Sequence, residues 1–274
     1  MLRIEKIHPG EQFTIDPRES AFSYGAGIFE TLQVAEGYLQ FWSRHWSRLK
    51  ASALRLFSCD LSAEDEAASL EAIKAFCSDI GQKDQVLKLS LIVLATGPVL
   101  YIYLRERTVQ EASVKLYLNQ AHPINENALH VGHKTHNYLE NIWLLREAKL
   151  TGYADYLRVN TQGELCETCI GNCFFIKGDQ IITPSIDTGL FPGIIRAVLL
   201  EALPIEETQI KVEDLLVMEG CFVTNSIVEI LPVIEIAGIS KQTAHSFSGN
   251  ALSKIEEIKV TLKTIAKSEA INLF

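Results

Sequence analysis

The sequence lacks any apolar run of the roughly 18 residues that a membrane-spanning helix needs. Its first seven residues mix charged and apolar side chains, which is unlike a signal peptide. It also has no cluster of lysine and arginine, and its formal net charge is −9. An acidic chain without a basic patch is a poor partner for nucleic acid or an anionic membrane. These absences predict a cytoplasmic protein that acts on a small molecule.

Cysteine is scarce, and the catalytic motifs of several enzyme classes are missing. Six cysteines in 274 residues are too few for a disulfide scaffold and predict reduced thiols packed in a core. Two short sets of potential metal ligands are Cys166, Cys169 and Cys173, and His130, His133 and His136. The first set has no fourth thiolate nearby and the second would diverge along an extended backbone, so no metal site is predicted. The absence of a Gly-x-Ser-x-Gly elbow argues against a serine hydrolase.

The hydrophobic residues, 47% of the chain, follow both strand and helix periods. A strand at 28–34 turns at Glu36-Gly37 into a returning strand, which predicts a hairpin. A helix over 42–57 has one apolar stripe, and the second half again mixes strands with helices. The polar, proline-containing run 119–127 predicts a linker between a small domain, 1–118, and a larger one, 128–274. The fold class is therefore α/β.

Two basic residues in the first half have two interpretations each. Arg48 adjoins the apolar stripe of its helix, so it either points inward at an anion or belongs to a solvated face. Lys88 interrupts an otherwise apolar strand. It either binds a substrate carboxylate or is an edge charge that prevents aggregation.

The most informative stretch surrounds Lys134, where a strand end is followed at once by a helix. Asn137 is placed to cap that helix, with Glu140 three residues further on. One apolar face of the helix comprises Leu139, Ile142 and Trp143. Lys134 has apolar sequence and no acidic residue close to it, and desolvation would lower its pKa and leave a neutral amine able to attack an aldehyde. The alternative is an ordinary lysine that points into solvent.

Three motifs resemble the signature of the class IV pyridoxal-phosphate enzymes. They are the run from Lys134 to Leu139, the run from Glu167 to Phe174, and Pro192-Gly193-Ile194-Ile195-Arg196. The family includes branched-chain aminotransferases, D-amino-acid aminotransferases and 4-amino-4-deoxychorismate lyases. The resemblance implies a small N-terminal α/β domain and a larger C-terminal domain with a mixed, barrel-like sheet. It also implies pyridoxal 5′-phosphate held between the domains, and a homodimer whose partner contributes to the substrate pocket.

The resemblance implies roles for individual residues. Lys134 would be the lysine joined to the cofactor's aldehyde and the general base for the substrate's Cα proton, and Glu167 would keep the pyridine nitrogen protonated. Tyr138 would contact the ring hydroxyl. The remaining cofactor-binding residues, chiefly around the phosphate, would be Arg48, Gly193, Ile194, Ile195, Asn225 and Ser226. The substrate side would be lined by Tyr24, Phe29 and Lys88.

The choice of reaction depends on the segment 93–99. Lyases of this family commonly carry Arg-Gly pairs there, and D-amino-acid enzymes tend to use an arginine, whereas this chain has no arginine in the segment. We therefore predict an aminotransferase that moves an amino group between an amino acid and a 2-oxo acid. The alternatives are a lyase that releases pyruvate and 4-aminobenzoate, and a homologue that binds the cofactor without turnover.

Overall fold

The computed structural model describes residues 2–106, 111–240, 243–247 and 249–274. These residues form two compact units. Unit 1 lies within 1–108, 133–138 and 266–274, and unit 2 lies within 109–132 and 139–265. No described helix is long and apolar enough to cross a membrane, and the predicted cytoplasmic location stays a prediction.

Unit 1 contains a six-stranded sheet with two long helices on one face. Its strands lie in the order β1-β5-β4-β2-β3-β15. Their bounds are β1 (Arg3–Ile7), β2 (Gly27–Ala35), β3 (Tyr38–Leu39), β4 (Gln85–Leu94), β5 (Gly97–Arg105) and β15 (Ile271–Asn272). The helices are α1 (Ser20–Ser23), α2 (Trp42–Phe57) and α3 (Ala63–Ile80). The hairpin and helix α2 confirm the predicted elements.

The packing of unit 1 follows from the helical period of α2 and from the alternation of side chains along β2. Trp42, Trp46 and Leu49 are buried on one side of α2, as the apolar stripe predicts, in a cluster that also includes Ile28 and Leu32 of β2. Because side chains alternate along a strand, Phe29 points to the opposite face of the sheet from those two residues. Phe29 therefore lies on the face of the sheet that points away from the helices.

Unit 2 contains a closed, mixed sheet. Its strands are β6 (Val114–Ile124), β7 (Asp155–Asn160), β8 (Leu165–Thr168), β9 (Asn172–Lys177), β10 (Gln180–Pro184), β11 (Ile205–Thr208), β12 (Gly220–Asn225), β13 (Glu229–Ser240) and β14 (Thr243–Ser246). Its helices are α4 (Leu139–Leu150), α5 (Ile194–Ala202) and α6 (Gly249–Ser268), the last of which ends in unit 1. Strands β6, β7, β8, β9, β12 and β13 pair in a ring, with Glu167 opposite Asn172 closing it. The predicted α/β class with a barrel-like sheet is confirmed.

The predicted domain boundaries differ from this division. Most of the predicted linker, 119–127, is the second half of β6, which pairs with β7. A proline is tolerated there because that pairing is interrupted between Asn119 and Ile124, and the Asn119 side-chain oxygen accepts hydrogen bonds from the backbone of Ala121 and His122. Residues 133–138 and 266–274 belong to unit 1.

Helix α4 also differs from its sequence prediction. It begins at Leu139, and its apolar face is exposed, with 77% of Leu139 and 65% of Trp143 accessible. The helix packs through Leu144 and Ala148 instead.

The predicted capping residues of α4 have other partners. The Asn137 side-chain amide donates to the backbone oxygen of Gly25 at 3.3 Å. Glu140 accepts a hydrogen bond from the buried guanidinium of Arg158, which also donates to the backbone oxygen of His122. A local capping pattern is therefore overridden by contacts that are distant in sequence.

All six cysteines are free thiols, and five of them are buried. This agrees with the prediction of reduced, packed cysteines.

Candidate active site

Lys134 is held against the start of β2 by backbone hydrogen bonds. Its carbonyl oxygen accepts from the Phe29 N–H at 2.8 Å, and the His136 N–H donates to the Gly27 oxygen at 2.8 Å. A Cβ atom at Gly27 would clash with the imidazole of His136, so glycine permits this close approach. The segment that carries Lys134 therefore extends the edge of the unit 1 sheet, with the lysine side chain half-buried.

Three predicted site residues gather around the ring of a fourth, Phe29. The amine nitrogens of Lys88 and Lys134 lie 4.0 Å and 4.6 Å from the centre of this ring. The Lys134 amine also lies 4.8 Å from the centre of the Tyr138 ring, which meets Phe29 edge-on. Aromatic faces attract cations, so the ring of Phe29 offers a favourable contact to both amines.

The surroundings of Lys88 are cationic. Burial and the nearby Arg105 lower the pKa of Lys88. Burial and Lys88 lower the pKa of His136 to about 4, so this imidazole is neutral at pH 7 and bonded to the Ser90 hydroxyl at 2.8 Å. A half-buried amine among other positive groups would be stabilised by a bound anion.

Arg48 lies on the helix side of the same sheet, in a buried charged group. Its Nε and Nη2 atoms donate to the two carboxylate oxygens of Glu30 at 2.7 and 2.6 Å. His45 Nδ1 lies 2.7 Å from the same carboxylate. Burial opposes ionisation of Glu30, but Arg48 and His45 outweigh it and hold the Glu30 pKa at about 2. Burial also lowers the pKa of His45.

Glu167 in unit 2 is oriented by Asn172, which faces it across the turn between β8 and β9. The Asn172 side-chain amide donates to a Glu167 carboxylate oxygen at 3.0 Å and to the backbone oxygen of Phe191 at 2.8 Å. Both residues are buried. A carboxylate held in one orientation inside a barrel can receive a proton-bearing ring nitrogen without rearranging.

The N-terminus of α5 lies beside Asn172. Gly193 precedes the helix and provides no side-chain cap, and a Cβ atom at that position would clash with the Asn172 side-chain oxygen. The first amides of a helix, here Ile194 and Ile195, have no acceptor within the helix and lie at its positive end. This arrangement suits an anion such as a phosphate.

Asn225 ends strand β12, and Ser226 follows it. The Asn225 side-chain oxygen accepts from the backbone N–H groups of Ile227 and Val228 at 2.9 and 3.0 Å, and its amide donates to the Ile170 oxygen at 3.3 Å. Asn225 thus shapes the turn that carries Ser226, and direct binding of the cofactor by either residue stays a prediction.

The structure therefore brings four of the predicted site residues together and leaves a fifth exposed at the surface. Phe29, Lys88, Lys134 and Tyr138 come together in unit 1, whereas Tyr24 lies after α1 with 78% of its surface exposed. The sequence-based list omitted Asn172, although its position five residues after Glu167 is part of the resembling motif. It also omitted Glu30 and His45, which pair with Arg48.

Comparison with known proteins identifies the family. A sequence model described as Amino-transferase class IV matches residues 27–236. The chain belongs to this family. One relative is the aminodeoxychorismate lyase of Bacillus subtilis strain 168, which is 28% identical and aligned over 89% of this chain and 90% of its own. Another, from Aquifex aeolicus, is named "Probable branched-chain-amino-acid aminotransferase" and is 25% identical, with 95% and 94% covered.

Solved structures agree on the fold of this class IV protein. The branched-chain aminotransferase of Thermoproteus uzoniensis, crystallised with norvaline, has a TM-score of 0.82 at 20% identity, covering 97% of this chain and 96% of its own. A protein from Mycobacterium tuberculosis named "A hypothetical aminotransferase", in its PLP-bound form, has a TM-score of 0.80 at 18% identity, covering 93% of this chain and 95% of its own. The family uses pyridoxal phosphate, which confirms the predicted cofactor.

The residues of each unit fit this cofactor. In unit 1, Lys134 offers an amine beside two aromatic rings for the aldehyde. In unit 2, the first amides of α5 follow Gly193 without a side-chain cap, which suits a phosphate. The oriented carboxylate of Glu167 suits a protonated pyridine nitrogen.

Proposed function

We propose that this protein is an aminotransferase that moves an amino group between an amino acid and a 2-oxo acid. The observation that carries this proposal is the pair of amines on the ring of Phe29. An α-amino acid presents an amine to the reacting centre and a carboxylate next to it. Lys134 and Lys88 supply groups for these two parts, and segment 93–99 supplies no arginine that would replace Lys88.

Each residue has a defined task in this proposal. The bound cofactor supplies an aldehyde that condenses with amines and a protonated ring that accepts electrons. Lys134 would hold the cofactor's aldehyde carbon and would serve as the base for the proton on the substrate's Cα. Glu167, oriented by Asn172, keeps the ring nitrogen protonated. The first amides of α5 and Ser226 would bind the phosphate, whereas Arg48, whose guanidinium is paired with Glu30, stays a predicted phosphate ligand.

The test of this function is an assay with the purified holoenzyme. A panel of L- and D-amino acids is offered with a 2-oxo acid acceptor, and formation of the new amino acid is followed by chromatography. Amino transfer that requires the acceptor supports the proposal. No transfer with any donor, in a preparation whose cofactor content is confirmed by absorbance, would overturn it.

A second function is favoured by one observation, the 28% identity to the Bacillus subtilis aminodeoxychorismate lyase. Such a lyase would release pyruvate and 4-aminobenzoate from aminodeoxychorismate without a 2-oxo acid. Pyruvate formed in the absence of an acceptor would establish the lyase and refute the aminotransferase. A cofactor-loaded protein that changes no substrate in either assay would instead be a binding homologue without turnover.

Glu167→Gln is expected to lower kcat about 100- to 1,000-fold, because a neutral amide cannot hold the ring nitrogen protonated. Its amide oxygen can still accept the bond from Asn172, so the fold should be retained. Stopped-flow absorbance of the first half-reaction would measure the loss, and circular dichroism would check the fold. A rate within threefold of wild type would show that Glu167 does not contact the ring.

Lys88→Ala is expected to raise KM for the amino donor about 10- to 100-fold, the loss typical of a hydrogen bond to a charged group. The change in kcat should be smaller, because Lys88 binds substrate and does not transfer protons. Lys88→Arg should keep most of the affinity, and Lys83→Ala, at an exposed lysine of the same unit, is the control. An unchanged KM in Lys88→Ala would remove Lys88 from the substrate site.

The proposal includes a homodimer. The exposed apolar face of α4, formed by Leu139, Ile142 and Trp143, supports it because isolated proteins seldom leave such a patch in water. Light scattering of the purified protein tests this directly. A monomer at all accessible concentrations would contradict the homodimer.

A further inference from the structure

One buried hydroxyl near the proposed phosphate site has no partner. Thr224 is 1% exposed, and its Oγ1 atom makes no hydrogen bond to any residue that the structure describes. Most buried hydroxyls in folded proteins are paired, because an unpaired one loses its bonds to water without replacement. We therefore expect the Thr224 hydroxyl to form its hydrogen bond with a bound ligand.

The position of Thr224 in the barrel gives the direction of its side chain. It is the penultimate residue of β12 and lies opposite Asn172 of β9 in an antiparallel pair. Opposed residues in such a pair project from the same face of the sheet. The Thr224 hydroxyl thus shares a face with Asn172, the residue that holds Glu167 and abuts Gly193 at the start of α5.

The groups around this point are hydrogen-bond donors. The first turn of α5 has no side-chain cap and presents its positive end. The two turn amides after Ser226 are already bound by Asn225, and the Asn172 amide is bound to Glu167 and Phe191. A hydroxyl can rotate its proton toward an acceptor. A ligand that brings anionic oxygens would satisfy both the helix end and Thr224.

We propose that the Thr224 hydroxyl donates a hydrogen bond to a phosphate oxygen of the bound cofactor. The inference rests on the proposed function and adds a residue that the motifs did not indicate. It predicts that the hydroxyl stabilises the loaded protein and does nothing for the empty one. A structural threonine would behave in the opposite way.

The experiment compares Thr224→Val, which removes the hydroxyl at nearly constant shape, with Thr224→Ser, which keeps it. Thr224→Val should weaken pyridoxal phosphate binding roughly tenfold, the loss of one hydrogen bond to a charged group, whereas Thr224→Ser should stay within about threefold of wild type. The phosphorus NMR signal of the bound cofactor should shift in the valine variant only. The melting temperature of the valine variant without cofactor should equal or exceed that of wild type.

Thr183→Val is the matched control. Thr183 is also fully buried in unit 2, but its hydroxyl donates to the Cys173 oxygen at 2.8 Å. This variant should melt at a lower temperature without cofactor and bind the cofactor like wild type. Thr224→Val should therefore change the cofactor affinity, whereas Thr183→Val should change the melting temperature without cofactor.

Three results would overturn the inference. Thr224→Val could bind with wild-type affinity, or could lose affinity without any change in the phosphorus signal, which would place the contact elsewhere on the cofactor. It could also melt early without cofactor, as a structural hydroxyl requires. If wild type itself fails to bind pyridoxal phosphate, the proposed function fails together with the inference. Failure in the variants alone leaves the proposed function intact.

Discussion

Lys134→Ala is expected to reduce turnover by at least about three orders of magnitude, because one side chain supplies both the covalent partner of the cofactor and the general base. The structure places its amine against Phe29 and Tyr138 and fixes its backbone on β2. No other amine in unit 1 has this arrangement among the described residues. Lys88, the second amine at Phe29, lies on β4 and lacks the contact with Tyr138.

The measurement combines kinetics with labelling. Borohydride reduction of wild type followed by peptide mass spectrometry should find the cofactor on Lys134, and Lys134→Ala should carry none. A small primary amine added to the alanine variant should restore part of the activity by acting as a free base. Lys149→Ala, at an exposed lysine of α4, should behave like wild type. Activity of Lys134→Ala within tenfold of wild type would refute the assignment.

Glu30→Ala is expected to lower the free energy of unfolding by about 3–5 kcal/mol, because it leaves the largely buried guanidinium of Arg48 without its counter-ion. Glu30 is 1% exposed and joins Arg48 and His45 in one group. Urea denaturation measures the loss. The control is Glu71→Ala, which breaks the exposed pair with Lys74 and should change stability by less than about 1 kcal/mol. Similar losses in the two variants would show that the buried group contributes no special stability.

The same carboxylate predicts an acid limb in the stability of the wild type. Arg48 and His45 hold its pKa at about 2, below the ordinary 4.5, so its stabilisation is complete above pH 4.5 and is lost as the pH falls toward 2. The total is about 3 kcal/mol. Glu30→Gln should flatten the stability profile in that window. The pKa of His136 is lowered from 6.5 to about 4, so its protonation reduces stability mainly as the pH falls from 6.5 to 4. This loss lies above the Glu30 window and serves as an internal comparison.

Local sequence patterns were reliable for elements and for reactive groups. The stripe over 42–57 predicted α2 to the residue, and the motifs around Lys134, Glu167 and Pro192 predicted the family that the comparisons confirm. Patterns failed where distant contacts compete with local ones. Asn137 and Glu140 look like caps, yet they bind Gly25 and Arg158.

The sequence alone determined many of the strands and helices and which chemistry the chain can offer, because residue periods and short motifs involve neighbours a few positions apart. The tertiary structure decided how those groups are used. Glu30 meets Arg48 from 18 residues away, and Ser90 meets His136 from 46 residues away. Such pairings depend on the register of whole strands, which no short window of sequence contains.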